Sequence, residues 1–390
     1  MEIKYQNILL RDARESDIAD DIRWNTTETA WALWDAPWEM EEELRRFDPA
    51  AYRQKELEAL EKPPEGCRWR LELDTTEGVH IGSVSRYCLD GDFSWTEAAP
   101  GADPRALRWA VGLDICESAY WSGGWGTQAL TAFVRYLLSQ GYEDLYTQTW
   151  SGNVRMVGLA EKLGFRECRR RAGLRLVRGK IYDGLTFRLD RDAFAAHCVR
   201  AGLELYVPRA EDLWFVRRMQ EDPATMAYNA GWDVSYEGYH PDTGCIDLPE
   251  SAWAEKHANL VGHEPDQFYA LVRERDSGSF VGEVNFHRVP EGWHEIGVVV
   301  YAPCRGRGYG HAALELLLRR AFVDWGLPKL RNAFEETRSS ALAIHLRAGF
   351  RRVGITEDRR FGGRVRVLEL ELTRADYLAD RGLGNLEESV

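Results

Sequence analysis

The chain has 390 residues, of which 44% are hydrophobic and 29% charged, and these proportions are typical of a globular protein rather than a disordered or fibrous one. It contains no run of about 18 apolar residues, and its charged first residues do not resemble an export signal, so we expect a cytoplasmic protein without a membrane partner. The net charge of −13 disfavours nucleic-acid binding, and the 7 scattered cysteines lack the spacing of a zinc site, so no metal is expected.

The first half of the chain shows predicted strands and helices in a clear order. A strand near residues 3–11 and a short helix from Glu15 precede a tryptophan-rich stretch over residues 24–66. Alternating apolar residues then predict strands in WRLEL, VHIGSVSRYCL and RWAVGLDI. A helix over about residues 125–139, a strand in DLYTQTW, a helix from Val154 and two closing strands complete this half.

The second half repeats that order of elements. Strands are predicted in FYALVRE, SFVGEVNFH, HEIGVVVY and LRNAFEE, with helices at about residues 309–324 and 339–347 and closing strands around residues 350–372. Two pairs of similar stretches show the repeat directly, and the members of each pair lie about 185 residues apart. YWSGGWGTQAL pairs with CRGRGYGHAAL, and AEKLGFRECRR pairs with HLRAGFRRVGI.

The repeat predicts two tandem domains of one fold. They cover residues 1–196 and 203–390, with the join near residues 195–203. The order of elements predicts an α/β fold with a mixed sheet, in which an antiparallel meander precedes a βαβ unit. Two copies joined by a short linker meet at a high effective concentration, so we expect a monomer in which they pack as an internal pseudo-dimer.

A glycine-rich turn stands at the start of the first long helix in each of the two βαβ units. Such a turn exposes unpaired N–H groups and a partial positive charge, which together suit a phosphate group. The residues expected to hold that group are Trp121, Gly124 and Gly126 in the first half and Arg305, Gly306, Arg307, Gly308, Tyr309 and Gly310 in the second.

Both turns also fit the dinucleotide fingerprint G-x-G-x-x-A, which leaves an oxidoreductase with a nucleotide cofactor open. That fingerprint follows the first strand of a βαβ unit and is followed, about 20 residues later, by an acidic residue that holds the ribose. Here each turn follows the fourth strand, and only the first half offers an acid near that place, at Glu143 or Asp144.

The order of meander, glycine turn, helix, strand, helix and the pair GF resembles the GNAT superfamily of acyl-CoA N-acyltransferases, whose loop reads R/Q-x-x-G-x-G/A. Residues 305–310 match that pattern in full, whereas Trp121 takes the Arg/Gln position in the first half. This Trp, with WSGGWGTQAL and EKLGF, is similar to the ribosomal-protein N-terminal acetyltransferase branch. The resemblance implies two GNAT-like folds, acetyl-CoA bound at the glycine turns through its pyrophosphate, and direct attack of an amine on the thioester.

The resemblance also implies catalytic positions in the second half. The family places a carboxylate on the fourth strand as the base, and Glu295 in HEIGVVVY takes this position. The tyrosine that protonates the departing thiolate is replaced by His345, which we expect to act as the acid. These two residues make the second half the expected catalytic half.

The first half keeps a different part of the family pattern. Asn153 stands where the family places an asparagine that holds the pantetheine arm. Ala160 takes the position of the tyrosine, and the N-terminal acetyltransferase branch often lacks this tyrosine. The resemblance therefore implies cofactor binding here and leaves catalysis open.

The strand RWAVGLDI of the first half has no carboxylate opposite Glu295. Its alignment on Gly112 and Gly297 needs one extra residue before the glycine turn, which we interpret as a bulge. Asp114 on this strand and Glu72 are the weaker candidates for a base in this half.

Residues 24–66 and 222–265 are expected to form the acceptor pockets. Four tryptophans of the first stretch form either the core of a helical flap or a platform for a ligand: Trp24, Trp31, Trp34 and Trp38. Acidic neighbours suit a cationic amine: Asp35, Glu39, Asp233 and Asp242. A small-molecule amine and a protein N-terminus both remain open as acceptors, as does a tandem protein that binds acyl-CoA or a partner without catalysis.

Overall fold

The structure is a computed structural model that describes residues 1–62, 64–97, 107–234 and 236–381. The chain divides into two compact units, one ending at His197 and the other starting at Cys198. Each unit combines a mixed sheet with helices, so the predicted α/β fold of two repeated units is confirmed. No helix among the described residues is long and apolar enough to cross a membrane.

The first unit is built on a sheet of strands β1 to β9. Their bounds are β1 Glu2–Tyr5, β2 Ile8–Arg11, β3 Arg70–Thr75, β4 His80–Leu89, β5 Trp95–Thr96, β6 Arg108–Ile115, β7 Leu145–Trp150, β8 Phe165–Val177 and β9 Lys180–Leu189. The helices are α1 Asp17–Thr26, α2 Pro37–Arg46, α3 Pro49–Leu60, α4 Trp125–Ser139, α5 Val154–Lys162 and, across the predicted join, α6 Arg191–Ala201.

The sheet of the first unit opens in its middle. The strand order is β1-β2-β3-β4-β6-β7-β9-β8, and β5 pairs with β4. Strands β6 and β7 run parallel and pair only at Trp109 with Leu145 and Ala110 with Tyr146, whereas the other neighbours are antiparallel. Beyond these two pairs the strands separate, and the cleft between them points toward the start of α4.

The second unit repeats this arrangement with strands β10 to β16. Their bounds are β10 Leu203–Tyr206, β11 Gln267–Glu274, β12 Phe280–Arg288, β13 His294–Val300, β14 Lys329–Glu335, β15 Arg351–Arg360 and β16 Gly363–Thr373. The helices are α7 Leu213–Gln220, α8 Pro223–Met226, α9 Trp253–Leu260, α10 Tyr309–Arg319, α11 Ser339–Arg347 and α12 Arg374–Asp380. The order is β10-β11-β12-β13-β14-β16-β15, and the parallel strands β13 and β14 pair only at His294 with Leu330 and Glu295 with Arg331.

The strand registers align the two units residue by residue. Gly112 lies opposite Ser85, and Gly297 lies opposite Asn285, at the same distance from the parallel pairs of each sheet. Asp114 therefore corresponds to Val299 of the second unit.

The predicted bulge in β6 is wrong. Its register with β4 runs without a shift from Arg108 to Ile115. The extra residue lies just after the strand, where the backbone N–H groups of Cys116 and Glu117 both donate to the carbonyl of Ile81.

Two other local predictions are refined by the structure. The strand predicted over residues 3–11 is a hairpin, because Gln6 turns the chain with a φ of 50°. The helix predicted over residues 309–324 is α10, which continues as a π-helical turn over Arg320–Asp324.

Candidate active site

A large cavity of about 930 Å³ fills the cleft between β6 and β7. Three parts of the first unit line it: the glycine turn of residues 121–126, here called the first glycine loop, the start of α5, and residues 30–38, here called the tryptophan segment. The cavity therefore joins the predicted cofactor loop to the predicted acceptor segment.

The first glycine loop has the geometry of an anion cradle. Gly124 is the N-cap of α4 and has a φ of 82°, which L side chains rarely adopt. Gly126 packs so closely that a Cβ would lie 2.9 Å from a methyl carbon of Leu113. The indole of Trp121 donates to the carbonyl of Ile115 at 2.8 Å, so it braces the loop against the end of β6. The free N–H groups at the start of α4 fit the pyrophosphate of acetyl-CoA.

Asn153 also lines the cavity, but its side chain is already engaged. Its Oδ1 accepts from the backbone N–H of Met156 and caps α5, and its Nδ2 donates to the carbonyl of Trp34 at 2.7 Å. Asn153 therefore fixes the tryptophan segment against α5. Its predicted contact with a pantetheine arm stays a prediction.

Two carboxylates face this cavity, on Asp114 and Asp35. Burial, and after it the negative charge of Asp35, raises the pKa of Asp114 to about 7, although Arg70 opposes the rise. Burial and the charges of Glu43 and Glu39 raise the pKa of Asp35 as well. A carboxylate that titrates near neutral pH is well suited to accept a proton from an ammonium group.

The backbone around Asp114 is tightly packed. A Cβ on Gly82, across the ladder in β4, would lie 1.9 Å from the carbonyl oxygen of Asp114. This position therefore admits only glycine unless the strands shift, and the close approach of β4 and β6 holds Asp114 in place at the cavity wall.

The four tryptophans divide between core and cavity. Trp24 is 2% exposed, packs on His80 with ring centroids 4.7 Å apart and donates its indole N–H to Glu117. Trp31, Trp34 and Trp38 line the cavity together with further aromatic side chains: Tyr87, Phe93, Trp95 and Trp150. Aromatic faces beside carboxylates are suited to a cationic amine.

Glu72 is not available as a base, because it is held in a buried network. It accepts two hydrogen bonds from the guanidinium of Arg70 and lies 3.3 Å from Nε2 of His80. Burial opposes ionisation, but the bond with His80 and the charge of Arg70 lower the pKa of Glu72 below its usual value. Through the pairs of Glu72 with Ser83 and of Ser83 with Asp114, this carboxylate lies on the same face of the sheet as Asp114.

The second glycine loop, residues 305–310, is engaged by its own unit. Gly306 and Gly308 keep the φ values of the loop, at 80° and 82°. The guanidinium of Arg305, however, donates to the carbonyls of Val300, Ala224 and Thr225 at 3.1, 2.9 and 3.0 Å. Because its donors are directed at backbone carbonyls, the structure does not support its predicted phosphate contact, which stays a prediction.

The other predicted ligands of this loop have local roles. Tyr309 donates its hydroxyl to Glu274, and Arg307 lies in the field of the same carboxylate. Gly310 packs near Val300 and Ile344. The loop thus faces an acidic residue where a pyrophosphate would add further negative charge.

Residues 224–232, here called the cleft segment, lie across the cleft between β13 and β14. The guanidinium of Arg360 donates to the carbonyls of Ala227 and Ala230, and Phe361 donates its backbone N–H to the carbonyl of Gly231. Arg360 also pairs with Glu335 at the end of β14. Together with Arg305, these bonds attach the cleft segment to both sides of the cleft.

Tyr228 of the cleft segment lies among the cleft residues. The guanidinium carbon of Arg338, which takes the position of Asn153, lies 5.0 Å from the centre of its ring and 5.6 Å from that of Phe334. Glu283 and Arg305 act on the phenol electrostatically from the other side. Tyr228 and Arg338 therefore occupy part of the cleft of the second unit.

Glu295 does not lie in the open part of that cleft. It belongs to the last parallel pair between β13 and β14, before the strands separate, and corresponds to Ala110 of the first unit. Its side chain is 35% exposed and lies 3.7 Å from His287. The structure therefore does not support the predicted role of Glu295 as the base.

His345 is a buried packing residue. It is 2% exposed, with the rings of Phe334 and Phe350 at 5.2 and 5.0 Å. Its Nδ1 donates to the carbonyl of Ala341, and its Nε2 accepts from Asn332. Burial lowers the pKa of His345 to about 4, so the imidazole is uncharged at neutral pH, and both of its nitrogens already have partners. The structure therefore does not support the predicted acid role, which stays a prediction.

His345 instead predicts how stability depends on pH. The pKa of His345 is about 4 in the folded chain and about 6.5 in the unfolded chain. At pH values between these two, the unfolded chain therefore binds one more proton than the folded chain. The free energy of unfolding of the second unit should fall by about 3 kcal/mol as pH drops from 7 to 4 on this account. Urea unfolding of His345→Phe should show a weaker loss over the same range, and an equal loss in both proteins would contradict the assignment.

The second unit has a smaller cavity of about 240 Å³, which does not include the second glycine loop. Glu283 faces it from β12 and accepts a hydrogen bond from the hydroxyl of Tyr269. Burial raises the pKa of Glu283. Sequence reasoning missed this carboxylate, since it lies on the neighbouring strand, at the position of Ser83 in the first unit.

Comparisons with known proteins agree with the repeated fold. The family profile described as acetyltransferase (GNAT) domain matches residues 7–166 and 203–351. A search of curated proteins found no relative by sequence. Among solved structures, spermidine N-acetyltransferase from Vibrio cholerae in complex with CoA and spermine is 16% identical, with a TM-score of 0.38, and the match covers 46% of this chain and 99% of that one. A GNAT-family acetyltransferase from Bacillus anthracis is also 16% identical, with a TM-score of 0.36 and coverage of 44% and 95%.

Proposed function

Because this chain belongs to the GNAT acetyltransferase family, whose members use acetyl-CoA, we propose that its first unit acetylates the nitrogen of a small cationic amine. The observation that carries the proposal is the position of Asp114. A carboxylate with a pKa of about 7 lies in the same cavity as the first glycine loop and the tryptophan segment.

Acetyl-CoA would supply an acetyl thioester with its pyrophosphate at the first glycine loop. The N–H groups at the start of α4 would hold that pyrophosphate, and Gly124 leaves room for its approach. The cleft beyond the loop runs between Asp114 on β6 and Thr149 on β7, which both line the cavity. This path leads from the phosphate site to the carboxylates.

The carboxylates and aromatic rings of the cavity form the proposed binding site of the acceptor amine. Trp31 would contact the cationic group, since Arg155 and Arg175 already lie over the rings of Trp34 and Trp38, and Asp35 would attract it into the cavity. Asp114 takes one proton from the ammonium group, which frees the nitrogen lone pair for attack on the acetyl carbon. The new N–C bond forms as the C–S bond breaks, and the attacking nitrogen loses a second proton that neutralises the departing thiolate, so the products are the N-acetyl amine and the thiol of CoA.

We assign the acetyl-CoA site of the chain, and catalysis with it, to the first unit, whereas the sequence led us to expect cofactor at both glycine turns and catalysis in the second half. The second unit has Val299 in the position of Asp114, and its cleft holds Tyr228 and Arg338. The Tyr309 hydroxyl of its glycine loop donates to Glu274, and the cavity of about 240 Å³ in this unit does not include the loop.

A direct test measures thiol release from acetyl-CoA with the full-length protein and a panel of acceptors. The panel contains monoamines, diamines, polyamines, aminoglycosides and short peptides with free N-termini. We expect turnover with small cationic amines and little with the peptides. Tight acetyl-CoA binding without thiol release from any acceptor would overturn the proposal and favour a binding protein without catalysis.

The electrostatic interaction between Asp114 and Asp35 predicts how kcat/KM depends on pH. Since Asp114 must be ionised to act as the base, kcat/KM should rise with pH through about 7. The negative charge of Asp35 helps to raise the pKa of Asp114, so Asp35→Asn should move this acidic limb about one pH unit lower. A pH–rate profile checks the shift, and Glu39→Gln, which removes a charge that acts on Asp35 rather than on Asp114, should move the limb less.

A further inference from the structure

The first glycine loop lacks the basic residue that the second loop has. Trp121 stands where the second loop has Arg305, and its indole N–H is directed at the carbonyl of Ile115. A tryptophan cannot neutralise a phosphate. The negative charge of a diphosphate at this loop must therefore be balanced by another residue or by the helix N-terminus alone.

The face of the Trp121 ring is occupied by an arginine from α5. The guanidinium carbon of Arg155 lies 4.4 Å from the centre of the Trp121 ring and 4.5 Å from that of Trp34. The guanidinium thus contacts both the first glycine loop and the tryptophan segment. Both rings and Arg155 line the large cavity beside Ser122 and Gly124.

Arg155 has no carboxylate partner among the residues that the structure describes. Arg175, which lines the same cavity, lies over the ring of Trp38 rather than beside the first glycine loop, whereas Arg171 donates to the carbonyl of Asp92 and Arg170 pairs with Glu167 and Asp183. Arg155 is exposed to the cavity, and its donors are free to bind an anion.

The place of Arg155 in its helix adds to this reasoning. Asn153 is the N-cap of α5, so Arg155 lies in the first turn, where the helix dipole disfavours a positive charge. A cation at this position benefits from the two aromatic faces and from any anion that binds nearby. In a chain with a net charge of −13, an unpaired arginine beside an anion cradle is a distinctive feature.

We propose that Arg155 binds the diphosphate of acyl-CoA and replaces the arginine that the first glycine loop lacks. The inference rests on the proposed function, since it concerns the same cofactor site. Trp121 and Trp34 both contact the guanidinium, and its N–H groups are available for bidentate contact with phosphate oxygens.

This arrangement links the cofactor site to the acceptor segment. The carbonyl of Trp34 accepts from the indole of Trp150 at 3.0 Å and from Asn153 at 2.7 Å, so this residue is fixed to the elements that flank the cleft. A diphosphate that holds Arg155 in place also holds the ring of Trp34.

The test measures binding of CoA and of 3′-dephospho-CoA to the full chain by calorimetry. Arg155→Gln should weaken both ligands by a similar factor of about 10 to 100, the usual size for a charge-assisted contact. It should also reduce the dependence of the affinity on NaCl concentration, since one screened charge pair is lost. Arg155→Lys keeps the charge but not the planar guanidinium, so its affinity should lie between those of the unmodified protein and Arg155→Gln.

Arg175→Gln is the matched control. Arg175 lines the same cavity and stacks on Trp38 with its guanidinium carbon 4.4 Å from the ring centre, but it does not contact the first glycine loop. The CoA affinity of Arg175→Gln should lie within about twofold of that of the unmodified protein. The thermal unfolding temperatures of Arg155→Gln and Arg175→Gln should equal that of the unmodified protein.

The calorimetry shows whether Arg155 contacts the diphosphate of CoA. Unchanged CoA affinity and salt dependence in Arg155→Gln would overturn the inference while leaving the proposed function intact. A loss seen with CoA but not with 3′-dephospho-CoA would overturn it as well, since Arg155 would then contact the 3′-phosphate. If the unmodified protein binds neither ligand, the proposed function and this inference both fail.

Discussion

Replacement of Asp114 by Asn should lower kcat/KM for an amine acceptor by roughly 10²- to 10⁴-fold, the usual contribution of a general base. The amide cannot take the ammonium proton, although its size and shape match those of the carboxylate. Acetyl-CoA affinity should change little, because the first glycine loop is untouched. Initial rates of thiol release and calorimetry with acetyl-CoA, measured on the same preparation, separate the two effects.

Glu295→Gln is the control for that experiment. This residue was the base expected from sequence, and the structure places it beside His287 before the cleft opens. We expect its rate to equal that of the unmodified protein. A loss of turnover in Glu295→Gln with normal turnover in Asp114→Asn would return the reaction to the second unit and contradict the assignment made here.

Helix and strand positions could be predicted from sequence wherever local pattern decides them. Helices α4 and α11 lie at the predicted residues 125–139 and 339–347, because an amphipathic run marks each of them. The hairpin of residues 2–11 was merged into one strand, since its turn at Gln6 contains neither glycine nor proline. Local signals were therefore sufficient for the fold and insufficient for this turn.

The choice of catalytic half depended on register, which sequence patterns specify poorly. Glu295 and Asp114 both belong to the fourth strand of the meander, but only the ladder pairs show that Glu295 precedes the opening of the cleft and that Asp114 follows it. A shift of four positions along the strand decides whether a carboxylate reaches the cavity. The spacing of the glycine turns does not show whether a carboxylate on this strand lies before or after the point where the cleft opens.

The partly occupied cleft of the second unit could not be predicted, because it depends on contacts between distant residues. Arg360 binds carbonyls of the cleft segment about 130 positions earlier in the chain, and Arg305 binds others about 80 positions earlier. Side-chain to carbonyl bonds leave no periodic signal in the sequence. The matching motif R-x-x-G-x-G therefore indicated a phosphate site in the unit where the arginine is used for packing.

Gly124→Asp should abolish acetyl-CoA binding by the whole chain, whereas Gly308→Asp should leave it intact. Both glycines are N-caps with a φ of 82°, so the two substitutions impose similar backbone strain. A Cβ on Gly124 meets no atom within 4 Å, and on Gly308 it meets only Val199 at 3.9 Å, so both side chains fit. Aspartate tolerates this conformation better than most residues, and its carboxylate would occupy the anion position of the loop.

Calorimetry should therefore give one acetyl-CoA site per chain for the unmodified protein and for Gly308→Asp, and none for Gly124→Asp. Gly124→Asn separates charge from strain, because asparagine adopts the same backbone conformation without a negative charge and should retain part of the affinity. Two sites in the unmodified protein, with one lost in each Asp variant, would show that the cleft segment moves aside for the cofactor. A single site that survives Gly124→Asp and disappears in Gly308→Asp would place the reaction in the second unit after all, since the cleft that Tyr228 occupies would then have to open.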